Sequence, residues 1–142
     1  MFKYKRAYEA ASSRDGIRIL VDHLWPRGVS KEKADLDLWL KDISPSTKLR
    51  EWFGHDPERW KDFKKRYFTE LKTKHFVIGH DPEQWESFKR KYLKDYDDGH
   101  NDIFKQLKKL VQHHTVTFVY AARDKEYNNA VALQEYIAHH IR

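Results

Sequence analysis

Apolar positions recur along this chain at two different periods, and the switches between them mark its elements. Residues 2–8 alternate weakly and read as a strand at a sheet edge. Residues 17–24, Ile-Arg-Ile-Leu-Val-Asp-His-Leu, form the strongest early strand, β-branched and largely apolar as an interior strand should be. A second such run, Thr-Val-Thr-Phe-Val-Tyr-Ala-Ala, covers 115–122. Between them the period lengthens to that of a helix. Trp60, Phe63, Tyr67 and Leu71 share one helix face, and Trp85, Phe88, Tyr92 and Tyr96 share another. Ile103, Leu107, Leu110 and Val111 mark a third helix across 101–112. The last helix runs to about His140 and buries Ala130, Leu133, Ile137 and Ile141.

Turn chemistry punctuates these runs. Residues 12–16, Ser-Ser-Arg-Asp-Gly, are a turn cluster. Trp25-Pro26-Arg27-Gly28 ends the first interior strand, since Pro26 has no N–H for the ladder and Gly28 takes positive φ without strain. Residues 30–40 read as helical in part, with Leu36, Trp39 and Leu40 facing inward. Ser46 is placed to cap a short helix reaching Phe53.

The two aromatic helices begin alike. His55-Asp56-Pro57-Glu58 and His80-Asp81-Pro82-Glu83 each offer a capping carboxylate, a proline suited to the first helical position and an acid that complements the helix dipole. The match extends further. Segments 54–78 and 79–103 repeat Gly-His-Asp-Pro-Glu and then Trp, Phe-Lys, Tyr, His and Ile in register, 25 positions apart. Two copies are too few for a solenoid, so the repeat predicts a local duplication inside one domain spanning 1–142. The aromatic face of the added helix must then be buried in the domain or against a second copy of the chain, and a homodimer is expected on that ground.

Composition narrows the class. The chain has 142 residues, 39% of them hydrophobic, and its five Trp, eight Tyr and eight Phe favour a folded, aromatic-rich core. It has no cysteine, which removes disulfides, thiolate nucleophiles and Cys-ligated metal centres. No apolar run approaches the roughly 18 residues of a membrane span. The first residues, Met-Phe-Lys-Tyr-Lys-Arg, have no secretory apolar segment, so the cytoplasm is the expected compartment. The net charge of +6 allows contact with anions or nucleic acid. Acidic residues are interleaved with the basic ones, so the charge alone does not establish such contact.

Strands 17–24 and 115–122 are separated by helices, as parallel neighbours in one sheet must be. The fold class expected is therefore α/β, a small and largely parallel sheet flanked by helices, with the extra duplicated helix. Ligands of such sheets bind beyond the carboxyl ends of the strands. That rule gathers Asp22, His23, Trp25, Arg27, Arg123, Asp124, Asn128 and Asn129 at one crevice.

Several stretches are similar to the signature of the short YeaO-like proteins, domain-of-unknown-function family 488. They are residues 20–31 (Leu-Val-Asp-His-Leu-Trp-Pro-Arg-Gly-Val-Ser-Lys), 39–46, 49–57, 120–124 and 128–130. The resemblance covers essentially the whole chain. It implies an uncharacterised bacterial protein of α/β fold and carries almost no biochemistry. The family usually has Arg where this chain has His23, and one Gly-His-Asp-Pro helix where this chain has two. Longer relatives carry a Cys-His pair after the last strand; here that stretch offers Arg123, Asp124 and Asn128.

Two chemistries remain open for the crevice. Arg27 could grip a carboxylate or phosphate in a bidentate fork while Asp22 orients it or acts as a base, the pair then being catalytic. Alternatively, Asp22 and Arg27 form an ion pair that fixes the turn. Arg123 and Asn129 read as ligand contacts, with Asp124 as a helix cap. The His-Asp pairs read as helix starts, and the adjacent pairs His113-His114 and His139-His140 point apart on a helix, so no metal site is expected. No glycine-rich phosphate loop, Gly-x-Ser-x-Gly elbow or His-Glu-x-x-His occurs, so no cofactor is expected. The favoured function is binding of a small anionic or polar ligand, with a metal-independent hydrolase or transferase as its catalytic form. The alternative is an interaction module that meets nucleic acid or a protein through the basic helices around Lys61, Lys64, Lys65, Arg66, Lys89, Arg90, Lys91 and Lys94.

Overall fold

In the computed structural model, which describes residues 1–74, 76, 78–94, 96 and 102–141, one sheet of four parallel strands carries the fold. The strands are β1 (Phe2–Arg6), β2 (Ile17–Leu20), β3 (Leu38–Trp39) and β4 (Val116–Tyr120), in the order β1-β4-β2-β3. The last strand in sequence is therefore central. It pairs with β1 from Phe2↔Val116 to Arg6↔Tyr120 and with β2 from Ile17↔Val116 to Leu20↔Val119. The helices are α1 (Lys31–Ala34), α2 (Thr47–Phe53), α3 (Trp60–Thr73), α4 (Pro82–Tyr92), α5 (Ile103–Leu110) and α6 (Asn129–His140).

Strand alternation divides the interior in two. Ile17, Ile19, Val116, Phe118 and Tyr120 face a large core to which α2 to α6 all contribute. Leu20 and Val119 face the other way, into a small cluster with Ala7, Trp25, Leu36 and Trp39. That second face also buries Arg18, whose side chain is 2% exposed. Its guanidinium donates to Asp15 at 2.7 Å and to the Ala34 carbonyl at 2.7 and 3.0 Å, while Lys5 reaches the same Asp15 at 3.1 Å. Burial by itself would raise the Asp15 pKa. The Ser12 N–H, Lys5 and Arg18 outweigh it and hold the carboxyl below the usual aspartate range.

Two sequence expectations need correction. The first interior strand ends at Leu20 rather than at residue 24. Val21 still donates to Val119, but the next N–H on β4's side, that of Ala121, goes to the Asp22 carboxylate at 2.8 Å, and the chain leaves the sheet. The second concerns residues 30–40. Ser30 caps a helix of one turn, Asp35 takes the left-handed conformation (φ 46°) and ends it, and Leu38–Trp39 then joins the sheet. Leu38 and Leu40 face the large core and Trp39 between them faces the small one, which is strand alternation and not a helix stripe; Leu36, ahead of the strand, also packs on the small cluster.

The two His-Asp-Pro-Glu segments both start helical structure, capped by Asp56 on the Glu58 N–H and by Asp81 on the Gln84 N–H. Their surroundings differ. Helix α3 packs on α2 and α6, and α4 packs on the edge strand β3. The Gln84 side chain accepts from the Trp39 N–H at 3.0 Å, and the His80 ring lies edge-on to the Trp39 indole at 4.7 Å. Helix α4 ends at Tyr92, so Tyr96 reaches Trp85 from beyond it. Trp85 and Phe88 are buried, and Trp60 packs on Phe53, Phe63 and Tyr127. Both aromatic faces are covered within one chain. The exposed face on which a homodimer was expected is absent among the described residues. Residues 97–101, at the end of the second copy, lie outside the described residues.

Candidate functional site

Because β2 and β4 are parallel, the segments after them leave the sheet on one edge. There they enclose a cavity of about 700 Å³. Of the expected site residues, Asp22, His23, Trp25, Arg27, Arg123, Asp124 and Asn129 line it. Asn128 does not. It is 2% exposed, and its amide is used up as the cap of α6, accepting from the Val131 N–H and donating to the Asp124 carbonyl. The cap expected of Asp124 is thus supplied by Asn128. Asp124 instead closes the preceding turn, accepting from the N–H groups of Glu126 and Tyr127. Those two bonds, with a smaller contribution from His55, lower its pKa.

Asp22 ties the site together. One oxygen accepts the Ala121 N–H and the other accepts the Asn129 amide at 2.9 Å. Its backbone carbonyl accepts the Trp39 indole N–H at 2.7 Å. Burial pushes the Asp22 pKa up. The Asn129 and Ala121 hydrogen bonds and the positive field of Arg50 and His55 oppose that rise without cancelling it. No ion pair joins Asp22 to Arg27, so the turn holding Arg27 is fixed by other means. The Val29 N–H reaches back to the Pro26 carbonyl, Gly28 has φ 78°, and the Trp25 indole N–H donates to the Val29 carbonyl at 2.6 Å. A pinned turn of this kind presents Arg27 outward with its guanidinium exposed. Across the cavity Arg6 steadies the other loop, donating to the carbonyls of Ala121 and Ala122 next to exposed Arg123.

Sequence reasoning missed two further lining residues. Arg50 comes from α2, where it is oriented by the Pro45 carbonyl and the Thr47 hydroxyl. His55, whose sequence context favours a place before a helix cap over a catalytic role, lines the cavity because Gly54 and His55 are both left-handed (φ 53° and 58°) and turn the chain there. The Gly-His pair just past a helix was the available signal. Phe53, Phe63 and Pro45 supply an apolar wall, and Leu24 stands at the rim, 67% exposed. Among the described residues no group of three His, Asp or Glu side chains is arranged to hold a metal ion. Nor is any described helix long and apolar enough to cross a membrane. On the basic helices, Lys64 pairs with Glu135 and Lys89 with Glu86, while the Arg59 and Arg66 guanidinium groups lie over the Trp52 ring.

Fold and site together define a small parallel α/β protein with a cationic cavity at the carboxyl edge of its sheet. The chain belongs to the DUF488 family. Residues 1–78 match the model described as the inactive DUF488-N3 subclade, and residues 74–137 match the domain of unknown function DUF488 itself. The uncharacterized protein YeaO of Escherichia coli is 31% identical over 133 residues, covering 94% of this chain and 93% of YeaO. Uncharacterized proteins of Mycobacterium tuberculosis and Mycobacterium bovis are 47% identical over 66 residues, 46% of this chain. That match spans 56% of the mycobacterial proteins, little more than half their length. No solved structure matches.

Proposed function

We propose that this protein binds a small anionic ligand in the cavity at the carboxyl edge of its sheet, with Arg27 and Arg123 as the clamp. One observation carries the reading. Two exposed guanidinium groups from loops far apart in sequence line one cavity, and neither has an ion-pair partner among the described residues. Arginine keeps its charge at any physiological pH, so two such groups at one opening favour an anion. His23 and His55 add hydrogen-bonding capacity beside them, and Trp25 forms part of the wall. Asn129 acts by holding Asp22 and the Val21 carbonyl in place.

Binding is favoured over turnover. Both Asp22 oxygens already accept hydrogen bonds that hold the site's two loops together, which suits a positioning role better than that of a base. The subclade whose model covers residues 1–78 is described as inactive, which points the same way. Calorimetric titration with inorganic phosphate, methyl phosphate and citrate tests the reading. Saturable binding of at least one, weakened by Arg27→Ala and by Arg123→Ala, supports it. Binding indifferent to both variants, or none at all, overturns it. Steady release of phosphate from the ester would identify a hydrolase and overturn the preference for binding alone.

A further inference from the structure

The cavity is polarised, and its polarity specifies more than a charge. Arg27 and Arg123 are exposed at its opening, and His55 beside them. Behind them the wall is aromatic. Phe53 and Phe63 are buried and lie nearly parallel, with ring centroids 4.3 Å apart and planes 20° from each other. Trp25 adds an indole from a separate loop, held by its bond to Val29. Leu24 stands at the rim with most of its apolar side chain in water. Inorganic phosphate would leave Leu24 and half-buried Trp25 uncovered, and the volume of about 700 Å³ lies in the range used for whole organic ligands.

We infer that the ligand is an organic phosphate monoester with a flat apolar body, its phosphate between Arg27 and Arg123 and its body against Trp25 and Leu24. This rests on the anion-binding reading and adds the body and the kind of anion. A single carboxylate is satisfied by one arginine fork. Two forks from separate loops suit a tetrahedral dianion, whose three free oxygens can meet both.

The test compares four probes by calorimetry and tryptophan fluorescence: inorganic phosphate, methyl phosphate, 1-naphthyl phosphate and 1-naphthoate. The expected order places 1-naphthyl phosphate at least about tenfold tighter than methyl phosphate, from the apolar area it covers. It should also exceed 1-naphthoate by a similar factor. Leu24→Ser, at an exposed position, should weaken 1-naphthyl phosphate more than methyl phosphate. Equal affinity for the two esters overturns the flat body and leaves anion binding standing. A tighter 1-naphthoate overturns the phosphate. Failure of all four removes the anion-binding reading as well.

Discussion

The side-chain amide of Asn129 donates to the carboxylate of Asp22 at 2.9 Å, joining the start of the last helix to the loop after β2 across 107 positions of sequence. Two segments that share no local contact are thereby held at one cavity. The bond also acts on the acid, because it favours the ionised form that burial disfavours.

Asp22 should therefore titrate above 3.8, the ordinary aspartate value, and Asn129→Ala should drive it higher by removing a donor to the carboxylate. The sign for stability follows from linkage. A carboxyl harder to ionise when folded contributes its full stability below the unfolded pKa and loses it as pH rises through the folded one. Carbon-detected NMR of the carboxyl groups reads the titration directly. A midpoint at or under 3.8 would show that burial does not dominate at Asp22.

Arg27→Ala and Arg123→Ala should each weaken anion binding roughly ten- to hundredfold, the range for losing a hydrogen bond to a charged group. Both side chains are exposed, so stability in urea should stay within about 0.5 kcal/mol of the parent. A variant that loses binding only because it unfolds would show itself in the second measurement.

Arg18→Ala should cost about 3–5 kcal/mol in urea unfolding, as expected when one partner of a buried ion pair is removed. The substitution strips Asp15 of its closest cation and leaves the Ala34 carbonyl without its guanidinium donors. Asp15 behaves oppositely to Asp22. Its lowered pKa gives stability that is present above the unfolded carboxyl pKa and lost as pH falls through the folded one. Arg18→Ala should accordingly move the acid-unfolding midpoint to higher pH.

Gly16→Ala should destabilise by about 1–3 kcal/mol. Gly16 sits at φ 64°, and a Cβ there would collide with the backbone carbonyl of Thr115, which accepts the hydrogen bond that starts β2. Thermal unfolding measures the loss, and an unchanged transition would show that the turn can relax.

The interior strands were legible because Ile17, Ile19, Val116 and Phe118 belong to apolar, β-branched runs long enough to show their character. Strand β3 was not, since two residues cannot display a period, and the capped turn at Ser30 resembles the start of a longer helix. At the site, Asp22, Arg27, Arg123 and Asn129 could be placed by the rule that parallel strands deliver their following loops to one edge. Arg50 and His55 follow no strand. They reach the cavity through the packing of α2 on α3, which periodicity does not encode. Asn128 and Asp124 are both good caps four positions apart, and only the backbone path after β4 decides between them.

The order β1-β4-β2-β3 bears on how the molecule is made. A ribosome releases the amino-terminal strand first, yet every ladder bond of β1 is to β4, which ends at Tyr120. Until the chain has emerged through Tyr120, β1 and one flank of β2 have nothing to pair with. Synthesis must therefore pass β4 before the sheet closes, and a chain truncated ahead of Val116 would leave both strands open to neighbouring nascent chains.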